Sequence, residues 1–103
     1  MATEIRAGMK KPFSIFIKEA KEGLKANNTI ELHGLGESIS TVVRAGDFLI
    51  SQGYGTLVSF HTSTFNEERE GTKRNKPKVI ITLSKAPTFD KALQDFENSR
   101  KSN

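Results

Sequence analysis

A change in hydrophobic period constrains this chain most. Phe13, Phe16, Ile17, Ala20 and Leu24 fall at i, i+3, i+4, i+7 and i+11, which makes one apolar helix face with Lys18, Glu22 and Lys25 off it. Ala26-Asn27-Asn28 ends that helix, and Thr29-Ile30-Glu31-Leu32-His33 then alternates with period two, as a half-buried strand does. Helical spacing returns at Ile39, Val42, Val43, Gly46, Leu49 and Ile50, and Gly53 closes it. Thr56 to Phe65 and Pro77 to Ser84 are rich in β-branched residues and read as strands. Thr3 to Ala7 is a short strand candidate, and Phe89, Ala92, Leu93 and Phe96 form a short amphipathic helix after Pro87. The order β-α-β-α-β-β with an added C-terminal helix predicts an α+β two-layer sandwich, both main helices lying against one four-stranded sheet. One domain is expected over 1–97, with 98–103 a disordered tail.

A chain of 103 residues buries a modest core and gains from an oligomeric interface. The absence of cysteine excludes disulfides, thiol catalysis and thiolate metal sites, and suits a reducing compartment. No apolar run approaches the ~20 residues of a membrane span. Met1 to Arg6 lacks the apolar run of a signal peptide, so a cytoplasmic or nuclear location is expected. Enzyme motifs fail in turn. Gly34-Leu35-Gly36-Glu37-Ser38-Ile39 begins like a dinucleotide fingerprint but has Ile39 where the third glycine is needed. Gly36-Glu37-Ser38-Ile39-Ser40 misses the nucleophile elbow. His33 and His61 lack a carboxylate–histidine pattern typical of metal ligation. No catalytic residue, metal, cofactor or small-molecule substrate is expected.

The basic residues carry more. The net charge of +4 suits an anionic partner. Lys10-Lys11-Pro12 precedes a helix with no acid among Phe13, Ser14 and Ile15. A helix N-terminus carries partial positive charge and free N–H groups, so two lysines there are unfavourable unless a phosphate joins them. The alternative is a pair of solvated lysines in a surface turn. Asn66 to Lys76 reads as a long charged hairpin loop, mobile when free, with Glu67, Glu68 and Glu70 leading and Lys73, Arg74, Lys76 and then Lys78 trailing. Either it neutralises itself in solvent or its basic half tracks phosphates, with Arg6, Lys10 and Lys11 extending the positive surface. Phe13, Tyr54, Phe60 and Phe65 are the aromatics open to base stacking, although Phe13 sits on the core face of its helix. Phe60 and Ile80 fall out of phase with Leu57 and with Val79, Ile81 and Leu83, which marks them for a dimer interface.

Taken in order, Lys10-Lys11-Pro12, Ile30 to Gly36, Ile39 to Val43, Thr62-Ser63-Thr64 and Ile81 to Lys85 with Phe89-Asp90 resemble the Alba superfamily over positions 4 to 93. The likeness is greatest to eukaryotic Alba-like proteins of plants and protists. The His33-Gly34-Leu35-Gly36 turn is also similar to that of the small Alba-like subunits of ribonuclease P and ribonuclease MRP. The resemblance implies the fold already inferred, shared with the C-terminal domain of a bacterial translation initiation factor. It implies a dimer that binds RNA and DNA without strong sequence preference, in RNA metabolism, translation control or chromatin organisation. It makes Lys10 and Lys11 principal contacts and places the turn Gly34, Leu35 and Gly36 near the nucleic acid. The hairpin from Phe65 to Lys78 becomes an arm reaching along a groove. Leu35 and Glu37 stand where archaeal members carry arginines, which weakens duplex coating and suits RNA. The alternative is an interaction subunit of a ribonucleoprotein, heterodimeric with another Alba-like chain. Replacing Lys10 and Lys11 together with Ala is expected to weaken binding and flatten log K against log salt by up to about two phosphate contacts, each roughly 0.7–0.9 in slope.

Overall fold

The computed structural model describes residues 3–8 and 11–101. In chain order these form β1 (Thr3–Arg6), α1 (Phe13–Asn27), β2 (Thr29–Leu35), a single 3₁₀ turn (Gly36–Ser38), α2 (Ile39–Ser51), β3 (Gly55–Arg69), β4 (Thr72–Lys85) and α3 (Phe89–Lys101). α1 starts on Pro12, with no side-chain cap and no acid in its first turn. It stops at Asn28, which adopts a left-handed φ of 64° and donates its N–H to the Leu24 carbonyl at 3.1 Å.

The strands form one sheet in the order β1-β2-β4-β3, with β1 parallel to β2 and the other two pairings antiparallel. This is the α+β two-layer sandwich expected from the sequence. Register sorts the side chains by face. Ile5 lies beside Leu32, which lies opposite Ile81, and Ile30 lies opposite Leu83. These residues are buried under Phe16, Ile17 and Leu24 of α1 and Val42, Ala45 and Leu49 of α2. Fully burying one such side chain stabilises the fold by about 1.5–3 kcal/mol, so this layer decides the register. The other face carries Arg6 beside His33, His33 opposite Ile80, and Leu35 opposite Lys78.

Two expectations about the strands change. Phe60 and Ile80 do not share a face. A bulge between Leu57 and Ser59 inserts one extra residue, so both Leu57 and Phe60 stand on the helix-covered side, opposite Leu83 and Ile81. Phe60 is exposed because β3 is the edge strand, while Ile80 points to the open face. The segment 66–76 is not a loop. β3 and β4 stay paired out to Arg69 and Thr72, with Glu67 opposite Arg74 and Glu68 opposite Lys73. Opposite charges at facing positions favour such pairing. Glu70 and Gly71 close it with φ values of 51° and 77°, the two positive dihedrals of a type I′ hairpin turn.

α3 is longer than expected and makes residues 98–101 helical, since no glycine or proline stops it. Its first turn is pinned to the end of α2. Phe89 is buried with its ring edge-on to Tyr54 at 5.8 Å, and the Thr88 hydroxyl donates to the Gly53 carbonyl at 2.8 Å. Tyr54 is 2% exposed and is therefore a core residue, not a base-stacking platform.

β2 and α2 approach each other closely at Gly34. A Cβ there would lie 2.6 Å from Val42 Cγ2 and 3.0 Å from the Ser38 carbonyl oxygen. Gly34→Ala is expected to destabilise the chain by about 1–3 kcal/mol through overpacking, a loss of several degrees in melting temperature. A variant melting with the parent would show that α2 shifts without cost.

Candidate nucleic-acid interface

Topology gathers the residues of interest at one end of the molecule. β1 and β2 run parallel, so both finish at the same edge. α1 starts from that edge, and the turn Gly34–Gly36 leads from it into α2. The β2–β4 ladder ends there with Leu35 opposite Lys78. Beyond this point β3 and β4 continue alone for about six residues each, an arm of roughly 20 Å at 3.4 Å per residue. The molecule accordingly measures 56 Å in its longest direction against 28 and 20 Å in the others.

Strand alternation then divides the basic residues of the arm. Arg74, Lys76 and Lys78 are every second residue of β4, so they share the open face with Arg6, His33 and Leu35 and repeat at about 6.8 Å. Lys73, grouped with them by sequence, falls on the opposite face. Phe65, opposite Lys76, joins the open face and is 45% exposed. The stem of Lys76 passes the turn, its Cδ 3.9 Å from where a Cβ on Gly36 would stand. Leu35 is half-buried and Glu37 exposed.

Lys11 is engaged within the chain. Its Nζ donates to the Arg6 carbonyl at 3.0 Å and to Glu19 Oε2 at 2.8 Å, which ties the end of β1 to α1. Lys10 lies outside the described residues. Arg6 Nη2 donates to Glu4 Oε2 at 3.3 Å.

A second cluster was not visible in the sequence, because one member comes from the neighbouring strand. Nε2–H of the buried His33 donates to Glu31 Oε1 at 3.0 Å and lies 3.9 Å from Glu4 Oε1. The donor atoms of Glu4, Glu31 and His33 lie within 4.8 Å of one another and could hold a divalent cation. They are also joined to each other and to Arg6, which accounts for their proximity without one. His33 Nδ1 is buried with no partner among the described residues.

Away from this end lies an apolar surface. Val43 and Ile50 on α2 and Leu57, Val58 and Phe60 on the adjoining β3 are all exposed. Sequence periodicity identified Phe60 but assigned Val43, Ile50 and Leu57 to the interior.

No protein-family model matches the chain. An uncharacterised protein of Arabidopsis thaliana is 33% identical over 86 residues, covering 82% of this chain and 66% of that protein. The chain thus spans just under two thirds of the length of that curated relative. Among solved structures, ALBA1 from Trypanosoma brucei superposes with a TM-score of 0.79 at 20% identity, covering 99% of this chain and 85% of that one. Alba from Thermoplasma volcanium gives 0.70 at 22% identity, covering 81% of this chain and all of that one. The chain has the Alba fold. In this version of the Alba fold, the arm is a closed ribbon with Arg74, Lys76 and Lys78 on one face and Lys73 on the other. The turn from β2 to α2 carries an exposed acid, Glu37, and an aliphatic residue, Leu35.

Proposed function

We propose that this chain is a non-catalytic member of the Alba superfamily. It binds RNA, and DNA, through phosphate contacts largely without sequence preference. It acts as a dimer in RNA metabolism or translation control, in the cytoplasm or nucleus. The observation that carries this is the single row Arg74, Lys76 and Lys78, continuous on the open face with Arg6 at the base of the arm. Cations spaced along one face can meet successive phosphates of one strand, and each contact releases counterions. Lys11, with Lys10 beside it in sequence, would extend the track across the start of α1. Phosphate contacts of this kind position a nucleic acid without reading its sequence. Glu37 in the turn opposes a phosphate there and favours the RNA-directed role over duplex coating.

The exposed apolar surface of α2 and β3 would be covered by a second copy. A second reading, a heterodimer with another Alba-fold chain in a ribonucleoprotein, is favoured by Asp47. It is exposed on α2, one turn from both Val43 and Ile50. In a two-fold contact centred on α2, it would meet its own copy.

Two experiments test these readings. In fluorescence anisotropy over a salt series, Arg74→Ala, Lys76→Ala and Lys78→Ala combined are expected to flatten the slope of log K by about two to three contacts of roughly 0.7–0.9 each. Lys73→Ala alone should leave it unchanged. An equal effect from Lys73→Ala would remove the single-face assignment. In analytical sedimentation, the parent should be a dimer at micromolar concentration and Phe60→Glu a monomer. A monomeric parent selects the heterodimer.

A further inference from the structure

We propose that the cleft at the base of the arm is a pocket for one unpaired nucleobase, so that this chain holds nucleic acid there as a single strand. This rests on the nucleic-acid reading above and specifies the form of the ligand. The cleft has a volume of about 310 Å³ and is lined by Arg6, His33, Leu35, Phe65 and Lys78, among others. It exists because β2 stops at Leu35 while β3 and β4 continue, so the sheet narrows from three strands to two beside Lys78. The missing strand leaves a recess on the open face instead of a flat ladder.

Its lining has the parts a nucleotide needs. Phe65 offers an aromatic ring, 45% exposed, at a position where burial in the core is impossible because it faces away from both helices. A half-exposed ring on a charged ribbon suits a stacking role with a planar base. Arg6 enters from β1 and Lys78 from β4, so cations flank the recess from both sides of β2. No carboxylate lines it among the described residues; Glu4 and Glu31 stand one same-face step behind it and hold its lining residues Arg6 and His33 at 3.3 and 3.0 Å. The row Lys76 and Arg74 leads out of it along the arm, and would take the phosphates that follow the bound base. A base inside a duplex has both faces stacked and cannot enter. A negatively charged small molecule would use the cations but not the ring.

The test uses fluorescein-labelled oligo(U), oligo(dT), a fully abasic deoxyribose-phosphate strand, and a blunt-ended RNA duplex, each titrated with the full chain. Phe65→Ala is expected to weaken oligo(U) and oligo(dT) by about fivefold to a hundredfold, the usual effect of removing one stacked base. The blunt duplex and the abasic strand should bind parent and variant alike, and Phe65→Tyr should restore the parent affinity. The variant should melt with the parent, which separates a lost contact from a lost fold. Equal weakening on every ligand, or none on the single strands, would overturn the pocket. A parent that binds duplex and single strands while Phe65→Ala changes neither leaves the phosphate-binding reading standing and removes only the pocket. A parent that binds none of the four overturns both.

Discussion

Helices cover one face of this sheet and leave the other open, and strand alternation under that constraint organises everything else. Along β4, Val79, Ile81 and Leu83 must turn inward to meet α1, α2 and β2, so the residues between them are free to be polar. Continued into the arm, the same alternation fixes Arg74, Lys76 and Lys78 on the open side. A slip of one residue would bury lysines and expose the core, so the apolar layer that stabilises the fold also aims the cations. Core and cationic face are two readings of one strand.

The order of elements was legible because its period changes are clean. Phe16, Ala20 and Leu24 are buried as the helical spacing required, and the alternation from Ile30 to Leu32 places both residues in the core. The arm was less legible. Charged residues are poor strand formers, and Glu70-Gly71 is not the usual pair for a type I′ turn. Glu68 on β3 faces Lys73 on β4, a complementary placement that appears only once the register is known. The bulge at Val58 misled in a different way. It advances the phase of β3 by one residue, so counting by twos from Leu57 puts Phe60 on the wrong face. The end of α3 offered no stop signal, and the burial of Tyr54 follows from Phe89, a contact made between distant segments.

Of the candidate site, residue types were visible and their grouping was not. Lys73 is adjacent to Arg74 in sequence and on the opposite face in space. Arg6 and Lys78 are far apart in sequence and line one recess. Glu4 joins Glu31 and His33 only through the parallel β1–β2 register. Lys11 shows the converse: a cation that sequence marks for phosphate already has an acidic neighbour, Glu19, so any anion arriving at α1 must exchange with it.

The closed turn at Glu70–Gly71 has a thermodynamic consequence. An arm that was coil when free would lose its backbone freedom on meeting a ligand, at about 1–2 kcal/mol per residue, and would spend much of its contact energy on that ordering. Here the ordering belongs to the folding reaction, because the ribbon is already paired. The association proposed above would then approach a rigid-body encounter. Its heat-capacity change would stay small, its enthalpy would come from charge and stacking, and its rate would be limited by orientation and electrostatic approach instead of by conformational search.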